Sequence, residues 1–81
     1  MKIYAVIYNV DLGYHIEYAS TSRDKAQEEL DIKIKQKYDY SINQQVLRGF
    51  DYEKAKENVD KCFWTSYEMI EIEVEELTTY A

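Results

Sequence analysis

The sequence contains no proline and, in 81 residues, only two glycines, one cysteine and one histidine. Cys62 has no second cysteine with which to form an intramolecular disulfide. With His15 as the only histidine, there is no Cys/His cluster of the kind that holds zinc. Two glycines, Gly13 and Gly49, are too few for a P-loop or a dinucleotide-binding fingerprint. The sequence therefore predicts a fold held by packing alone, without a metal or another cofactor.

The sequence also lacks a catalytic constellation. No serine or cysteine is spaced from His15 so as to predict a nucleophile and base pair, and we expect a surface strand histidine. On a strand, Glu71, Glu73 and Glu75 would stand about 6.6 to 6.8 Å apart, too far to converge on one Mg²⁺ ion. We therefore expect a protein that is not an enzyme and has no catalytic residue. An enzyme centred on His15 and the glutamates is the remote alternative.

Long apolar runs and an excess of positive charge are missing too. No stretch approaches the roughly 18 apolar residues of a membrane span, and residues 2–8 lack a following signal-peptide cleavage site. We therefore expect a cytoplasmic protein. Ten Lys and Arg against 16 Asp and Glu give a formal net charge of -6, which disfavours direct binding to nucleic acid or to an anionic membrane. Such a charge can also serve solubility alone.

What the chain has is 46% hydrophobic residues, enough for one folded domain over residues 1–81. Residues 2–9 are β-branched or aromatic at almost every position, which is typical of a central strand buried on both faces. A turn at residues 10–13 and the alternation of residues 14–19 predict a hairpin, with Tyr14, Ile16 and Tyr18 on one face. Residues 64–77 repeat with a period of two, so one face holds the set Ile70, Ile72 and Val74, and the other holds Tyr67, Met69, Glu71, Glu73 and Glu75.

Two helices are predicted between these strands. The first should start near Ser22 with Thr21 as its N-cap, and end before a connection at residues 38–43 and a turn at residues 44–49. The second should run from an N-cap at Asp51 to about Lys61, with Ala55, Val59 and either Cys62 or Phe63 on one face. Cys62 is then expected to be a core residue. The order β-β-α-α-β predicts an α+β fold, in which helices pack on one face of a three-stranded antiparallel or mixed sheet.

Tyrosines and glutamates form the most distinctive surface of the predicted sheet. The chain has nine tyrosines, and residues 68–81 contain five acids and no base. An aromatic patch edged by carboxylates is typical of a protein-docking surface, which predicts these partner-binding residues: Glu71, Glu73, Glu75, Tyr4, Tyr8 and Tyr67. Two alternatives stay open. The glutamates can be a solvated sheet face, and the tyrosines can be covered as a second small core by loops or by Tyr38, Tyr40 and Phe50.

The two ends of the chain resemble small accessory proteins of phages and prophages. The likeness lies in the opening Lys-Ile-Tyr-Ala-Val-Ile-Tyr strand, the Ser-Thr-Ser-Arg-Asp-Lys-Ala helix start and the closing Tyr-Glu-Met-Ile-Glu-Ile-Glu-Val-Glu-Glu-Leu strand. Small acidic members of that class include anti-CRISPR proteins. The resemblance implies binding to a host protein with a basic surface, such as a CRISPR effector, in the host cytoplasm. The alternative is a structural or regulatory module that self-associates as a homodimer through its open sheet face.

Overall fold

The computed structural model describes residues 1–74. Five elements follow one another along the chain: β1 (Lys2–Val10), β2 (Gly13–Ser20), α1 (Arg23–Leu47), α2 (Tyr52–Cys62) and β3 (Tyr67–Glu73). All pairings in the three-stranded sheet are antiparallel, which confirms the predicted α+β class and element order. The chain divides into a sheet unit, comprising Met1–Leu30 and the chain from Ser66 onward, and a helix unit, Asp31–Thr65.

Strand β1 is the centre of the sheet, as its continuous apolar run predicts. The strand order is β2-β1-β3. Three successive residues, Ala5, Val6 and Ile7, are 0%, 0% and 2% exposed. Successive side chains of a strand point to opposite faces, so both faces of β1 are shielded from water at this point.

The hairpin of β1 and β2 closes tightly and contains one irregularity. Val10 pairs with Gly13, which leaves Asp11 and Leu12 as a two-residue turn. Further along, Val6 pairs with Tyr18 and Ile7 with Ile16, so β2 has one extra residue, Glu17, at a β-bulge. The bulge puts Tyr18 on the face of Val6, and Ile16 on the opposite face. The predicted alternation of Tyr14, Ile16 and Tyr18 on one face is therefore wrong.

Strand β3 presents the two faces that its period of two predicts. One face of β3 carries Tyr67, Met69, Glu71 and Glu73, which pair in that order with Tyr8, Val6, Tyr4 and Lys2 of β1. The other face carries Ile70 and Ile72, which pair with Ala5 and Ile3. Glu71 and Glu73 are exposed, and the two isoleucines are half-buried. The strand begins at Tyr67 rather than at Trp64, which is exposed. The predicted part of this strand beyond residue 74 lies outside the described residues.

Helix α1 begins where the sequence predicts and ends about ten residues later than expected. The backbone N–H of Lys25 donates to Ser22 Oγ at 3.3 Å, so Ser22 and not Thr21 is the N-cap. The predicted connection at residues 38–43 is helical. An ion pair between Lys35 and Asp39 at 2.8 Å spans one helical turn there, and the side chain of Ile42 is buried. A buried side chain and a local ion pair stabilise the helix where the sequence pattern weakens.

The helix unit has a small core of its own. Ile42, Ala55 and Val59 form a buried cluster, against which Tyr38 and Phe63 pack. The N-cap predicted for α2 is confirmed, because Asp51 Oδ1 accepts from the backbone N–H of Lys54 at 2.8 Å.

The predicted burial of Cys62 is wrong, because its side chain is exposed at the last residue of α2. The next residue, the C-cap Phe63, takes the place against the core, and its ring makes an edge-on contact with Tyr38 at 5.4 Å between centroids.

Because its thiol is exposed, Cys62 should react with a soluble thiol reagent in the native protein at nearly the rate seen in the denatured protein. Its Sγ atom donates to the carbonyl oxygen of Asn58 at 3.2 Å, a weak contact that leaves the sulfur accessible. Labelling with a chromogenic disulfide reagent at pH 8, with and without denaturant, measures the ratio. A native rate suppressed by several orders of magnitude would show that the thiol is covered.

The hydroxyl of Tyr38 donates a hydrogen bond to Asp60, and this bond, with partial desolvation, raises the pKa of Tyr38 to about 12. Because the folded state favours the neutral phenol, this contribution to stability is complete below pH 10 and is lost as the pH rises to 12. We expect Asp60→Asn to lower the pKa of Tyr38 and to remove that part of the alkaline loss of stability. Ultraviolet difference titration against Tyr38→Phe measures the pKa. An unchanged titration in Asp60→Asn would contradict the assignment.

Candidate docking surface

The tyrosine face is the side of the sheet that carries Tyr4, Val6, Tyr8, Tyr18, Tyr67 and Met69. The antiparallel register brings Tyr8 opposite Tyr67, and their rings meet edge-on with centroids 5.0 Å apart and planes at 63°. Val6 is fully buried among its large neighbours, whereas the tyrosines are half-buried. The three tyrosines predicted to bind a partner therefore lie on one surface, and part of each side chain reaches solvent.

The predicted acidic residues lie at one end of this face. Glu71 is opposite Tyr4 in the register, and its carboxylate lies 3.5 Å from the ammonium of Lys2. The carboxylate of Glu73 lies 3.3 Å from the N-terminal ammonium of Met1. Exposed pairs of this kind contribute about 0–1 kcal/mol and exchange readily with outside charges. The two glutamates thus have cations beside them, which makes a bare acidic ladder a poor description; Glu75 lies outside the described residues.

The aromatic residues named as a possible cover for the tyrosines all lie in the helix unit. Tyr40 and Phe50 are exposed. Tyr38 packs against the buried cluster of the helix unit and contacts Phe63. That they cover the tyrosines stays a prediction.

Negative charge is concentrated in one of the two units. Within residues 1–74, the sheet unit has eight Asp and Glu and three Lys and Arg, whereas the helix unit has six acids and seven bases. The net charge of the described chain therefore resides in the unit that carries the tyrosine face. The sequence composition alone does not show this separation, because it follows from which segments the fold brings together.

The tip of the hairpin carries apolar residues that the sequence reasoning did not select. Four side chains there are exposed, and Leu12 is completely so: Val10, Leu12, Tyr14 and Ile16. A leucine in a two-residue turn is unusual, because such turns favour glycine, asparagine and aspartate. That leucine, between Asp11 and Gly13, is the sequence signal that could have identified this surface.

The remaining features of the described residues are a groove along α2 and the charged side chains that line it. Residues 1–74 contain no group of three or more His, Cys, Asp or Glu side chains placed to hold a metal ion. An open groove of about 500 Å³ follows α2, lined by Tyr52, Glu53, Lys56, Glu57, Asp60 and Lys61. A hydrogen bond from Lys61, with the nearby charge of Lys54, lowers the pKa of Glu57. The Glu57 carboxylate is therefore already paired with these two lysines.

In the part of the chain that the structure describes, no helix is long and apolar enough to cross a membrane.

These features define a small α+β protein with a three-stranded antiparallel sheet, whose most distinctive surface is an aromatic face on an acidic unit. Comparisons with protein families, with curated proteins and with solved structures found no match to this chain.

Proposed function

We propose that this protein is a non-enzymatic, phage-type inhibitor that binds a nucleic-acid-handling host defence protein, most concretely a CRISPR effector, in the host cytoplasm. The observation that carries the proposal is the joint placement of Tyr4, Tyr8 and Tyr67 with Glu71 on one face of the acidic sheet unit. In this role the protein occupies a basic surface of its partner and thereby excludes nucleic acid.

Two kinds of side chain divide the work in this proposal. Tyrosine offers a large, stiff contact area with a polar tip, which suits the centre of an interface. Carboxylates around it contribute to the rate of encounter and to the choice of a basic partner more than to the final affinity. Proteins that handle nucleic acid present Lys and Arg along their binding grooves, so the acidic sheet unit is attracted to the surface that the nucleic acid occupies.

Competition with nucleic acid tests this function. A fluorescent target DNA is bound to a guide-loaded CRISPR effector, and the protein is titrated against it while fluorescence polarisation is followed. We expect displacement that weakens as salt rises, since the Debye length is about 8 Å at physiological ionic strength. A panel of effectors that all retain their DNA would contradict the proposal.

Light scattering distinguishes the alternative of self-association. A stable homodimer that dissociates into monomers when Tyr8 is replaced would show that the tyrosine face is buried between two copies. That result would oppose the inhibitor function. A monomer at micromolar concentration leaves that face available to another protein.

The exposed glutamates should have a modest effect that is confined to kinetics. Replacing Glu71, Glu73 and Glu75 together by glutamine removes three charges, but Lys2 and the N-terminal ammonium already lie beside two of them. We therefore expect a few-fold slower association with the partner, a shallower salt dependence and nearly unchanged thermal stability. Stopped-flow association at several salt concentrations measures this. Identical rates and salt slopes would remove these charges from the mechanism.

A further inference from the structure

The hairpin tip, defined by Val10, Asp11, Leu12, Tyr14, Ile16 and Glu17, combines exposed apolar side chains with acids that lack internal compensation. Leu12 is 101% exposed and Ile16 is 56% exposed. We propose that this tip anchors the protein by entering a cleft of the partner that has an apolar floor and a rim of Lys and Arg. The inference rests on the proposed function and adds a second contact element beside the tyrosine face.

Charge identifies the chemistry of the occupant. From residue 3 to residue 22 the chain has no Lys or Arg, so the hairpin tip contains neither. Within the described residues, neither Asp11 nor Glu17 forms an ion pair, whereas Glu71 and Glu73 do. The hairpin acids are therefore the ones that gain most from cations supplied by another molecule.

A second exposed apolar cluster serves as an internal comparison. Val46, Leu47 and Phe50 are exposed where α1 ends, beside Arg48. This cluster belongs to the helix unit, in which acids and bases are nearly balanced. Both clusters expose apolar surface, and they differ in the charge around them, so a cationic and apolar partner should select the hairpin tip.

The shape of the tip explains why its partner should be a cleft and not a flat surface. Val10 lies on the same face of the sheet as Tyr8. Tyr14 and Ile16 pair with Asn9 and Ile7, and these four residues lie on the other face. Leu12 occupies the turn between them. Apolar surface therefore wraps around the end of the hairpin. A partner with two walls contacts both sides at once, whereas a single amphipathic helix contacts Leu12 and one side.

Two synthetic peptides of equal length test the chemistry directly. One is an amphipathic Lys/Leu helix and the other an amphipathic Glu/Leu helix with the same apolar face. Each is titrated into the full-length protein, and backbone amide shifts are followed by NMR. We expect the Lys/Leu peptide to shift amides of residues 10–17, and the Glu/Leu peptide to leave them in place.

Matched leucine variants separate anchoring from charge. Leu12→Asp adds an acid, so attraction by charge alone predicts equal or tighter binding of the Lys/Leu peptide. Apolar anchoring predicts binding at least about tenfold weaker. Leu47→Asp, at a leucine that is 79% exposed in the helix unit, should bind like the wild type.

Three results would each overturn the anchor. The first is a Lys/Leu peptide that shifts only backbone amides of residues 31–65, the second is a Leu12→Asp variant that binds the peptide as well as wild type, and the third is no binding of the peptide at all. These outcomes are independent of the proposed inhibition, which fails only if no guide-loaded effector loses its DNA. An effector that is inhibited equally by wild type and by Leu12→Asp would retain the function and remove the hairpin from it.

Discussion

Ile7→Ala is expected to lower the free energy of unfolding by about 2–5 kcal/mol, because it leaves a cavity at the most enclosed part of the central strand. Ile7 is only 2% exposed, and its neighbours Ala5 and Val6 are also buried. In a chain of 81 residues this is a large fraction of the total stability. Urea denaturation followed by circular dichroism measures the loss.

The cross-strand partner of Ile7 provides a matched control. Ile16 lies directly opposite it in β2, but its side chain is 56% exposed. Ile16→Ala should therefore change the free energy of unfolding by no more than about 0.5 kcal/mol. Equal losses for the two isoleucines would mean that the buried centre of β1 and the exposed position in the edge strand β2 have been wrongly assigned.

Replacing Tyr4 and Tyr8 together by alanine should reduce affinity for the inhibited effector by about 30-fold to 1,000-fold, or 2–4 kcal/mol, which is typical of aromatic hot spots. Both tyrosines lie on the central strand, and Tyr8 also holds the ring of Tyr67. Losing that ring contact should cost about 0.5–1.5 kcal/mol of stability. Fluorescence-polarisation competition measures the affinity, and a thermal melt checks that the variant is folded.

Tyr40 and Tyr52 provide the control for aromatic loss as such. Both are more than half exposed, and both belong to the helix unit. Their joint replacement by alanine should leave affinity for the effector unchanged. If this pair weakened binding while the Tyr4 and Tyr8 pair did not, the helix unit would be the binding surface.

Much of the fold was accessible from local patterns. The period of two in β3, the apolar run of β1 and the N-cap at Asp51 each depend on neighbouring residues, and the structure confirms all three. The bulge at Glu17 and the continuation of α1 past Tyr38 were not accessible in this way. A bulge depends on which residues of the partner strand are paired, and the end of α1 depends on the burial of Ile42.

The candidate surface, like the fold, was partly predictable from local sequence and partly dependent on strand pairing. Residue parity was enough to put Tyr4, Tyr8 and Tyr67 on one face, because strands alternate regularly. The cation beside Glu71 was not foreseen, since Lys2 is distant in sequence and reaches it only through the antiparallel register of β1 and β3. The exposure of Leu12 and the concentration of acids in the sheet unit likewise follow from the fold and not from local sequence.

Hydroxyl-radical footprinting of the protein, free and bound to a guide-loaded effector, tests the central claim most directly. Radicals modify exposed aromatic, leucine and methionine side chains, and the chain carries such residues in both units. Binding through the acidic sheet unit predicts protection of Tyr4, Tyr8 and Leu12, with Tyr40 and Trp64 modified as in the free protein. Protection confined to residues 31–65, with the tyrosine face still modified, would contradict the account.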